Sequence, residues 1–272
     1  MKSLRGLRIG FIGAGTMGKA LMKGLLAHGF SHRKLLAVDT NPEARRAVRR
    51  VFHVSATADL MSVIHRSDVM ILSVKPQQFP ALLAHIAPHV DRRQLVISIA
   101  AGIPLRWLQA RLPSGVPVIR VMPNLPVTVG SGFSALAPGR AATRRHRAIA
   151  AALFGAAGDV EELPERCFDA ITAVSGSGPA YIFFLVEAWE QAARRLGLSP
   201  VVAARAIRRT LEGSSRLLQA TDDPATMLIA RVTSKGGTTE AALRVLARRR
   251  VRGHFIEALQ AAARRSKQLS MS

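Results

Sequence analysis

Hydroxyl side chains and glycines cluster in one short segment of the sequence, Val232–Leu243, which reads Val-Thr-Ser-Lys-Gly-Gly-Thr-Thr-Glu-Ala-Ala-Leu. An Ala/Leu-rich helical pattern begins directly after its two adjacent threonines. The first amides of a helix have no acceptor inside the helix, so together with nearby hydroxyls they can hold a small anion. The segment therefore predicts either an anion site or a capped turn that only starts a helix.

A second glycine-rich loop, Gly13-x-Gly15-x-x-Gly18, follows a short apolar run and opens an amphipathic stretch. The first glycine permits a tight turn, the second lets the main chain approach a pyrophosphate, and the third allows close helix–strand packing. We interpret this loop as a dinucleotide site rather than a merely structural turn, with contacts from Gly13, Ala14, Gly15, Thr16, Met17 and Gly18. Two different anion sites favour an enzyme with two substrates.

An acidic residue, Asp39, closes the next apolar run of the sequence. In a dinucleotide-binding unit, an acid at this place accepts hydrogen bonds from the adenosine ribose and favours NAD. Arg45 and Arg46 follow closely and could instead accommodate the 2′-phosphate of NADP. These residues leave the choice between NADP and NAD open.

Further candidate contacts stand where later strands are predicted to end. Ser73 and Lys75 close the fourth strand, and ligands of open parallel sheets bind beyond the carboxyl ends of strands. Lys75 could therefore reach a cofactor phosphate or ribose. The small residues of Ser98–Gly102, including Ala101, suit either a flat nicotinamide or simple close packing. Asn124, after the sixth strand, is a candidate to support the site by hydrogen bonding.

The pattern that positions these residues alternates short apolar runs with amphipathic stretches from Leu7 to about Pro138. The predicted strands are Arg8–Ile12, Lys34–Val38, Val51–Val54, Val69–Val74, Leu95–Ile99 and Pro117–Val121. The predicted helices between them are Met17–His28, Pro42–Arg50, Ala58–His65, Gln78–Ala87 and Leu105–Ala110. This alternation predicts an α/β domain with a doubly wound, Rossmann-like parallel sheet.

Beyond Pro138 the sequence is rich in Ala, Leu and Arg, and helical periodicity replaces the β-branched runs. The predicted helices are Thr143–Phe154, Glu165–Ala173, Pro179–Leu196, Pro200–Gln219, Pro224–Val232, Thr238–Arg248 and Gly253–Gln268. We expect a dinucleotide-binding domain at 1–160 and an all-helical domain at 161–272. The stretch Tyr181–Val186 is apolar on every face, which favours burial against another subunit.

Composition excludes several classes of protein. The hydrophobic content of 49% and mean hydropathy of +0.18 exclude a disordered chain. The single cysteine, Cys167, excludes a disulfide framework, and interrupted histidine pairs predict no metal site. The longest uncharged stretch, Ala170–Val186, is shorter than a membrane span. We therefore expect a cytoplasmic protein that does not enter a membrane.

The formal net charge of +22 comes from 39 basic and 17 acidic residues. The arginines are spread as pairs over many predicted helices, and aromatic residues make up only 5%. Nucleic-acid binders usually concentrate charge on one element and interleave aromatics. The charge is therefore interpreted as solvated helix faces, and we do not expect a nucleic-acid partner.

Six motifs occur in the order found in pyrroline-5-carboxylate reductases, and the chain resembles that family through Gly13–Gly18, Val74–Gln77, Ser98–Gly102, Arg120–Asn124, Ser175–Tyr181 and Val232–Leu243. The resemblance runs over nearly the whole chain, and the last two motifs are distinctive of the family. It implies reduction of 1-pyrroline-5-carboxylate to L-proline, the last step of proline biosynthesis, by NAD(P)H with NADPH slightly favoured. It also implies a homodimer formed through the helical domain, often within a larger ring.

The implied chemistry is hydride transfer to a cyclic imine, which accepts hydride readily when its nitrogen is protonated or hydrogen-bonded. A hydroxyl near that nitrogen is sufficient, and the resemblance implies that Thr239 provides it. The resemblance also implies that the substrate carboxylate is held by Ser234, Gly236, Gly237 and Thr238. Glu165 aligns with an acid that often shapes the family's substrate pocket, although a solvated glutamate at a helix start is an equal alternative.

The chain departs from the family pattern at Lys235, Leu125, Lys19 and the arginine-rich segment Arg248–Arg252, but it keeps Thr239 and the glycines. Two alternatives stay open. A related imine or β-hydroxyacid reductase would usually carry a catalytic lysine or aspartate on the long helix predicted at 179–196, which contains no lysine. A non-catalytic homologue would bind a nucleotide or a polyanion through its arginines.

Overall fold

The structure is a computed structural model that describes residues 2–271, with side chains described from residue 3 to residue 270. The chain divides into two compact units. The first contains residues 2–179 together with 262–271, and the second contains residues 180–261. In the first unit the Ser266 hydroxyl donates a 2.7 Å hydrogen bond to Asp169. The packing thus divides after residue 179, and the predicted functional domains 1–160 and 161–272 stay a prediction.

The first unit contains one sheet whose described strands, eight in number, lie in the order β3-β2-β1-β4-β5-β6-β7-β8. Their bounds are β1 Ile9–Ile12, β2 Leu35–Val38, β3 Ser55–Thr57, β4 Val69–Leu72, β5 Leu95–Ser98, β6 Val118–Pro123, β7 Gly132–Pro138 and β8 Gly158–Glu162. Each described pair of neighbouring strands is parallel except β6 and β7, which are antiparallel. The chain order reverses between β1 and β4, as in a doubly wound sheet.

The helices of the first unit are α1 Thr16–Ala27, α2 Pro42–Phe52, α3 Leu60–Arg66, α4 Phe79–Ile86, α5 Leu105–Gln109, α6 Arg144–Gly155 and α7 Phe168–Ile171. They form two apolar cores, one on each face of the sheet. Alternate strand residues enter opposite cores: Phe11 packs with Leu25 and Phe154, whereas Ile12 packs with Ile64 and Phe79. Burial on both faces explains why these strands are continuous apolar runs.

The remaining helices are α8 Gly178–Arg195, α9 Pro200–Ala220, α10 Ala225–Arg231, α11 Thr238–Arg248 and α12 Val251–Met271. The predicted helix Thr238–Arg248 is confirmed at both ends. Ser199 caps α9, because its hydroxyl accepts a hydrogen bond from the amide of Val202. Within the second unit, the rings of Tyr181 and Phe255 pack edge to face at 5.8 Å.

Two predicted elements need correction, and two strands were not predicted. The strand predicted at Val51–Val54 is wrong, because α2 continues to Phe52 and β3 begins only at Ser55. His53 ends the helix with a left-handed φ of 55°, and its amide bonds to the carbonyl of Arg49. Valine and phenylalanine favour strands, but helical packing of Phe52 against the core outweighs that preference here.

The region beyond residue 130 is less helical than predicted. Gly132–Pro138 forms β7, and Gly158–Glu162 forms the edge strand β8, although neither was predicted. The apolar alternation typical of a strand is hidden in both elements, because β7 contains small residues and β8 has four polar or glycine positions. The predicted helix Glu165–Ala173 is instead a 3-10 turn Glu165–Cys167, the short α7, and a π turn Thr172–Gly176.

One described stretch, Glu165–Arg195, is long and apolar enough to span a membrane by length and composition alone. The uncharged run Ala170–Val186 was predicted to be too short for a membrane span. The helical stretch that contains it is longer, so the length of the uncharged run alone does not exclude a span. Phe183 and Phe184 on α8 are 59% and 70% exposed within the chain. Large exposed apolar surfaces usually mark a site of contact with another protein or with a membrane.

Candidate active site

The glycine loop follows β1 directly and continues into the first turn of α1, as predicted. Gly13 has a left-handed φ of 99°, and an added Cβ would lie 2.7 Å from the carbonyl oxygen of Ser73. A Cβ on Gly18 would lie 2.8 Å from the carbonyl oxygen of Gly13. A Cβ on Gly15 would meet no described atom within 4 Å. Gly13 and Gly18 are thus required by the protein's own packing, whereas Gly15 leaves open space outside the loop.

A groove of about 330 Å³ runs over the carboxyl ends of β1, β2 and β4. The structure brings five of the predicted residues together in its lining: Gly13, Gly15, Asp39, Ser73 and Lys75. The remaining predicted residues Ala14, Thr16, Met17, Gly18 and Ala101 are not among its described lining residues. The Ser73 hydroxyl donates a 2.6 Å hydrogen bond to the carbonyl of Gly13, which ties the end of β4 to the glycine loop.

Both carboxylate oxygens of Asp39 accept main-chain hydrogen bonds. The amide of Ala14 donates to one at 2.7 Å, and the amide of Asn41 donates to the other at 2.8 Å. Arg45 lies beside the same turn, where its Nη1 donates to the carbonyl oxygens of Asp39 at 2.7 Å and Thr40 at 2.9 Å. Asp39 therefore organises the loop itself, and Arg45 places a cation at the end of β2.

Glu165, predicted as a substrate contact, lies in the first unit with Arg120 and Leu105. Its Oε1 accepts hydrogen bonds from Arg120 Nη1 at 2.9 Å and from the Leu105 amide at 2.7 Å. Arg120 was not predicted as an individual site residue. Its signal was an arginine inside the apolar run of β6, where a charge needs a buried partner.

Asn124 supports the turn after β6, as its position suggested. Its side-chain oxygen accepts a hydrogen bond from the Phe133 amide at 2.9 Å, and its Nδ2 donates to the Ser175 hydroxyl at 3.1 Å. It therefore joins β7 to the π turn that precedes α8. The Ser175–Gly178 motif is thus anchored to the sheet of the first unit.

The hydroxyl-rich segment belongs to the second unit and leads into α11. Gly236 has a left-handed φ of 73°, and its amide donates a 2.6 Å hydrogen bond to Glu240. The amide of Gly237 donates to the carbonyl of Ser234 at 3.0 Å. Gly236 and Gly237 were predicted to bind the substrate carboxylate. In this conformation their amides instead donate hydrogen bonds within the turn.

Thr238 and Thr239 are the first two residues of α11, and Gly237 precedes them as the N-cap. Their amides stand in the first turn, where a helix offers no acceptor of its own. The Thr238 side chain is exposed and that of Thr239 is partly buried within the chain. The second unit thus places hydroxyls and first-turn amides together at the start of a helix of 11 residues.

Comparisons with known proteins match both ends of the chain to family models. Residues 165–269 match pyrroline-5-carboxylate reductase dimerisation, and residues 8–102 match NADP oxidoreductase coenzyme F420-dependent. The first match covers α8, the helix with the exposed phenylalanines, and the second covers the glycine loop and Asp39.

Individual relatives match over almost their full length. A pyrroline-5-carboxylate reductase from Synechocystis sp. is 36% identical over 97% of this chain and 98% of its own. The solved structure of a pyrroline-5-carboxylate reductase from Coxiella burnetii has a TM-score of 0.90 at 32% identity, and the match covers 97% of this chain and 98% of that one. A Plasmodium falciparum pyrroline carboxylate reductase with NADP bound has a TM-score of 0.89 at 25% identity, with the same coverages. The chain belongs to the pyrroline-5-carboxylate reductase family.

Proposed function

We propose that the protein is an NAD(P)H-dependent reductase that converts 1-pyrroline-5-carboxylate to L-proline, the final step of proline biosynthesis. The observation that carries the proposal is the groove over β1, β2 and β4, where Gly15 leaves open space beside the start of α1. Family membership supplies the substrate. The protein would need no metal, since reduction of the imine requires only a hydride donor for the carbon and a proton donor for the nitrogen.

The residues of the groove fit a dinucleotide. The first turn of α1 presents main-chain amides and the positive end of the helix dipole to a pyrophosphate. Ser73 and Lys75 close β4 beside this loop, and Lys75 is exposed for contact with a phosphate or ribose. When bound, the cofactor supplies a hydride to the imine carbon.

The residues of the chain must bind the imino acid and provide a hydrogen-bond donor to its ring nitrogen. We assign the ring nitrogen to the hydroxyl of Thr239, which donates a hydrogen bond as the imine becomes an amine. The carboxylate is assigned to the Ser234 hydroxyl and the first-turn amides of Thr238 and Thr239. Gly236 and Gly237 shape this turn, and Gly236 becomes a direct contact only where Glu240 releases its amide.

Turnover of the substrate tests the proposed function directly. Purified protein is mixed with 1-pyrroline-5-carboxylate and NADPH or NADH, and the loss of reduced cofactor is followed by absorbance. We expect oxidation with both cofactors and formation of proline. Oxidation of the cofactor only with other imines, or only with β-oxoacids that are reduced to β-hydroxyacids, would favour a related reductase. Nucleotide binding without any turnover would indicate the non-catalytic alternative.

Arg45 is proposed to set the preference for NADPH. Since the carboxylate of Asp39 is occupied by two main-chain amides, its ability to select a free 2′-hydroxyl is reduced. For Arg45→Met we expect the ratio of kcat/KM with NADPH to that with NADH to fall by about tenfold, since a charged hydrogen bond contributes about 1.5–3 kcal/mol.

Arg46→Met is the matched control for Arg45. Arg46 lies one residue further on α2, is exposed, and pairs at 4.0 Å with Glu43. It should leave the cofactor ratio close to that of the parent protein. Equal ratios for the parent and Arg45→Met would contradict the assignment.

We infer a homodimer in which α8 is buried between protomers. The stretch Glu165–Arg195 is then an interface and not a membrane span, which agrees with the dimerisation match at 165–269. A cytoplasmic location and the absence of a nucleic-acid partner stay our expectations.

Phe184→Glu tests this interface. We expect the dimer dissociation constant to rise by about a hundredfold, since a buried aromatic hot spot contributes about 2–4 kcal/mol. Light scattering after gel filtration measures the mass. The control is Val51→Glu, at an exposed valine on α2. An unchanged mass for Phe184→Glu at low protein concentration would argue against α8 as the interface.

A further inference from the structure

A guanidinium group lies inside the first unit at Arg120 of β6. The residue is only 3% exposed, and its side chain packs over the ring of Phe168 at 4.8 Å. Nη1 donates to Glu165, whereas the buried Nη2 has no hydrogen-bond acceptor among the described residues. A buried arginine is costly unless it is paired, so its presence calls for a role that an apolar residue would not fulfil.

Glu165 connects this buried cation to the main chain. The same oxygen, Oε1, that accepts from Arg120 also accepts from the amide of Leu105, the first residue of α5. The Glu165 side chain is 30% exposed, so without Arg120 it could turn toward water. Arg120 thus holds the carboxylate where it receives the Leu105 amide.

Leu105 directly follows the segment 99–104, which connects the carboxyl end of β5 to α5. At the other end of the segment, the Ser98 hydroxyl accepts a hydrogen bond from the amide of Ala100 at 3.4 Å. In the middle, a Cβ added to Gly102 would lie 3.3 Å from the Cβ of Leu269. The segment is therefore fixed at both ends and packed closely at its centre.

We propose that Arg120 and Glu165 form a positioning pair that holds segment 99–104 in place for the nicotinamide end of the cofactor. The proposal rests on the proposed function, because it takes this segment as a cofactor contact. It differs from the expectation that Glu165 touches the substrate, since Oε1 already receives two donors from the protein. Both residues act through Leu105 and touch neither substrate nor cofactor.

Two substitutions separate the pair's charge from its hydrogen bond. Arg120→Met fills the same volume without the cation and releases Glu165, so the Leu105 amide loses its acceptor. Glu165→Gln keeps an acceptor oxygen for Leu105. The matched controls are Arg147→Met and Glu162→Gln, which break a half-exposed Arg–Glu pair of 3.1 Å in the same unit.

For Arg120→Met we expect kcat to fall by about tenfold to a hundredfold, since small misplacements of reacting groups have costs of this size. The KM for the imino acid should stay nearly constant. The primary isotope effect with NADPH deuterated at C4 should increase, because hydride transfer becomes slower relative to the other steps. Glu165→Gln should lose less than Arg120→Met, and the control pair should behave as the parent protein.

A second readout does not depend on turnover. Hydrogen exchange of the peptide containing residues 99–105 should be about tenfold faster in Arg120→Met, because the Leu105 amide loses its charged acceptor. If the parent protein does not reduce the imine, the proposed function fails and this exchange experiment still tests the pair. Thermal unfolding establishes that each variant is folded. If Arg120→Met does not fold, Glu165→Asp shortens the reach to Leu105 while keeping the charge.

The proposal is overturned if Arg120→Met, or Glu165→Asp in its place, leaves exchange at 99–105 unchanged. It is also overturned if Glu165→Gln raises the KM for the imino acid while Arg120→Met has parental kinetics, because Glu165 would then contact the substrate directly. Arg120→Met and Glu165→Gln can also be combined in one double variant. If their effects on kcat add in that variant, the two residues do not act as one unit and the proposal is contradicted.

Discussion

Thr239→Val is expected to lower kcat by about a hundredfold to a thousandfold, the usual cost of losing one hydrogen-bond donor at a reacting centre. Valine keeps the shape of threonine and removes only the hydroxyl. Because Thr239 is the second residue of α11 and its side chain is partly buried, the turn before it should keep its structure. The imine nitrogen would lose its donor, while the carboxylate contacts at Ser234 and Thr238 would remain. The loss should therefore appear in kcat more than in the KM for the imino acid.

Thr239→Ser is the rescue variant, since serine restores the hydroxyl and should recover most of the lost kcat. Thr210→Val is the matched control in the same unit, because the Thr210 hydroxyl only bonds to the carbonyl of Ala206 within α9. Single-turnover measurements with saturating NADPH would report the chemical step. Full activity of Thr239→Val in that measurement would remove Thr239 from the mechanism.

Gly15→Val should raise the dissociation constant for NADPH by about a hundredfold, or about 2.7 kcal/mol, without unfolding the protein. Gly15 has an extended backbone with φ of −72°, which valine adopts readily. An added Cβ meets no described atom within 4 Å, so the side chain fits the protein. It would instead occupy the space through which a pyrophosphate approaches the amides of α1.

Gly155→Ala is the control for Gly15→Val, because the nearest described atom to its added Cβ is a methyl of Val160 at 4.0 Å. Gly13→Ala provides the opposite contrast. Its Cβ would lie 2.7 Å from the carbonyl of Ser73 at a left-handed φ, so it should lower the unfolding temperature as well as binding. Fluorescence titration and thermal unfolding measure the two effects. Parental NADPH affinity in Gly15→Val would place the pyrophosphate elsewhere.

The central sheet could be predicted because its strands are buried on both faces and are therefore continuous apolar runs. β1 and β4 were predicted within two residues of their bounds for this reason. The predicted bounds of α11 agree with the structure at both ends, since a Gly-Gly pair precedes the helix and an amphipathic repeat forms it. Apolar runs, glycines and amphipathic repeats within each segment were sufficient to predict these elements.

Elements and contacts that depend on distant partners could not be predicted in this way. β8 is an edge strand with mostly polar residues, and its pairing with β7 is decided by the main chain. The bond between Glu165 and the amide of Leu105 joins residues 60 positions apart, so no local pattern reveals it. The engagement of the Asp39 carboxylate by two amides is likewise visible only in three dimensions.

The hydrogen bond between Asp169 and Ser266 joins residues 97 positions apart, across the whole of the segment 180–261. The helical unit is thus an insertion in the chain of the first unit rather than an extension of it. Closing so long a loop costs conformational entropy before the contact forms, and contacts of high sequence separation slow folding. The end of α12 should consequently dock late during refolding, after the sheet has formed.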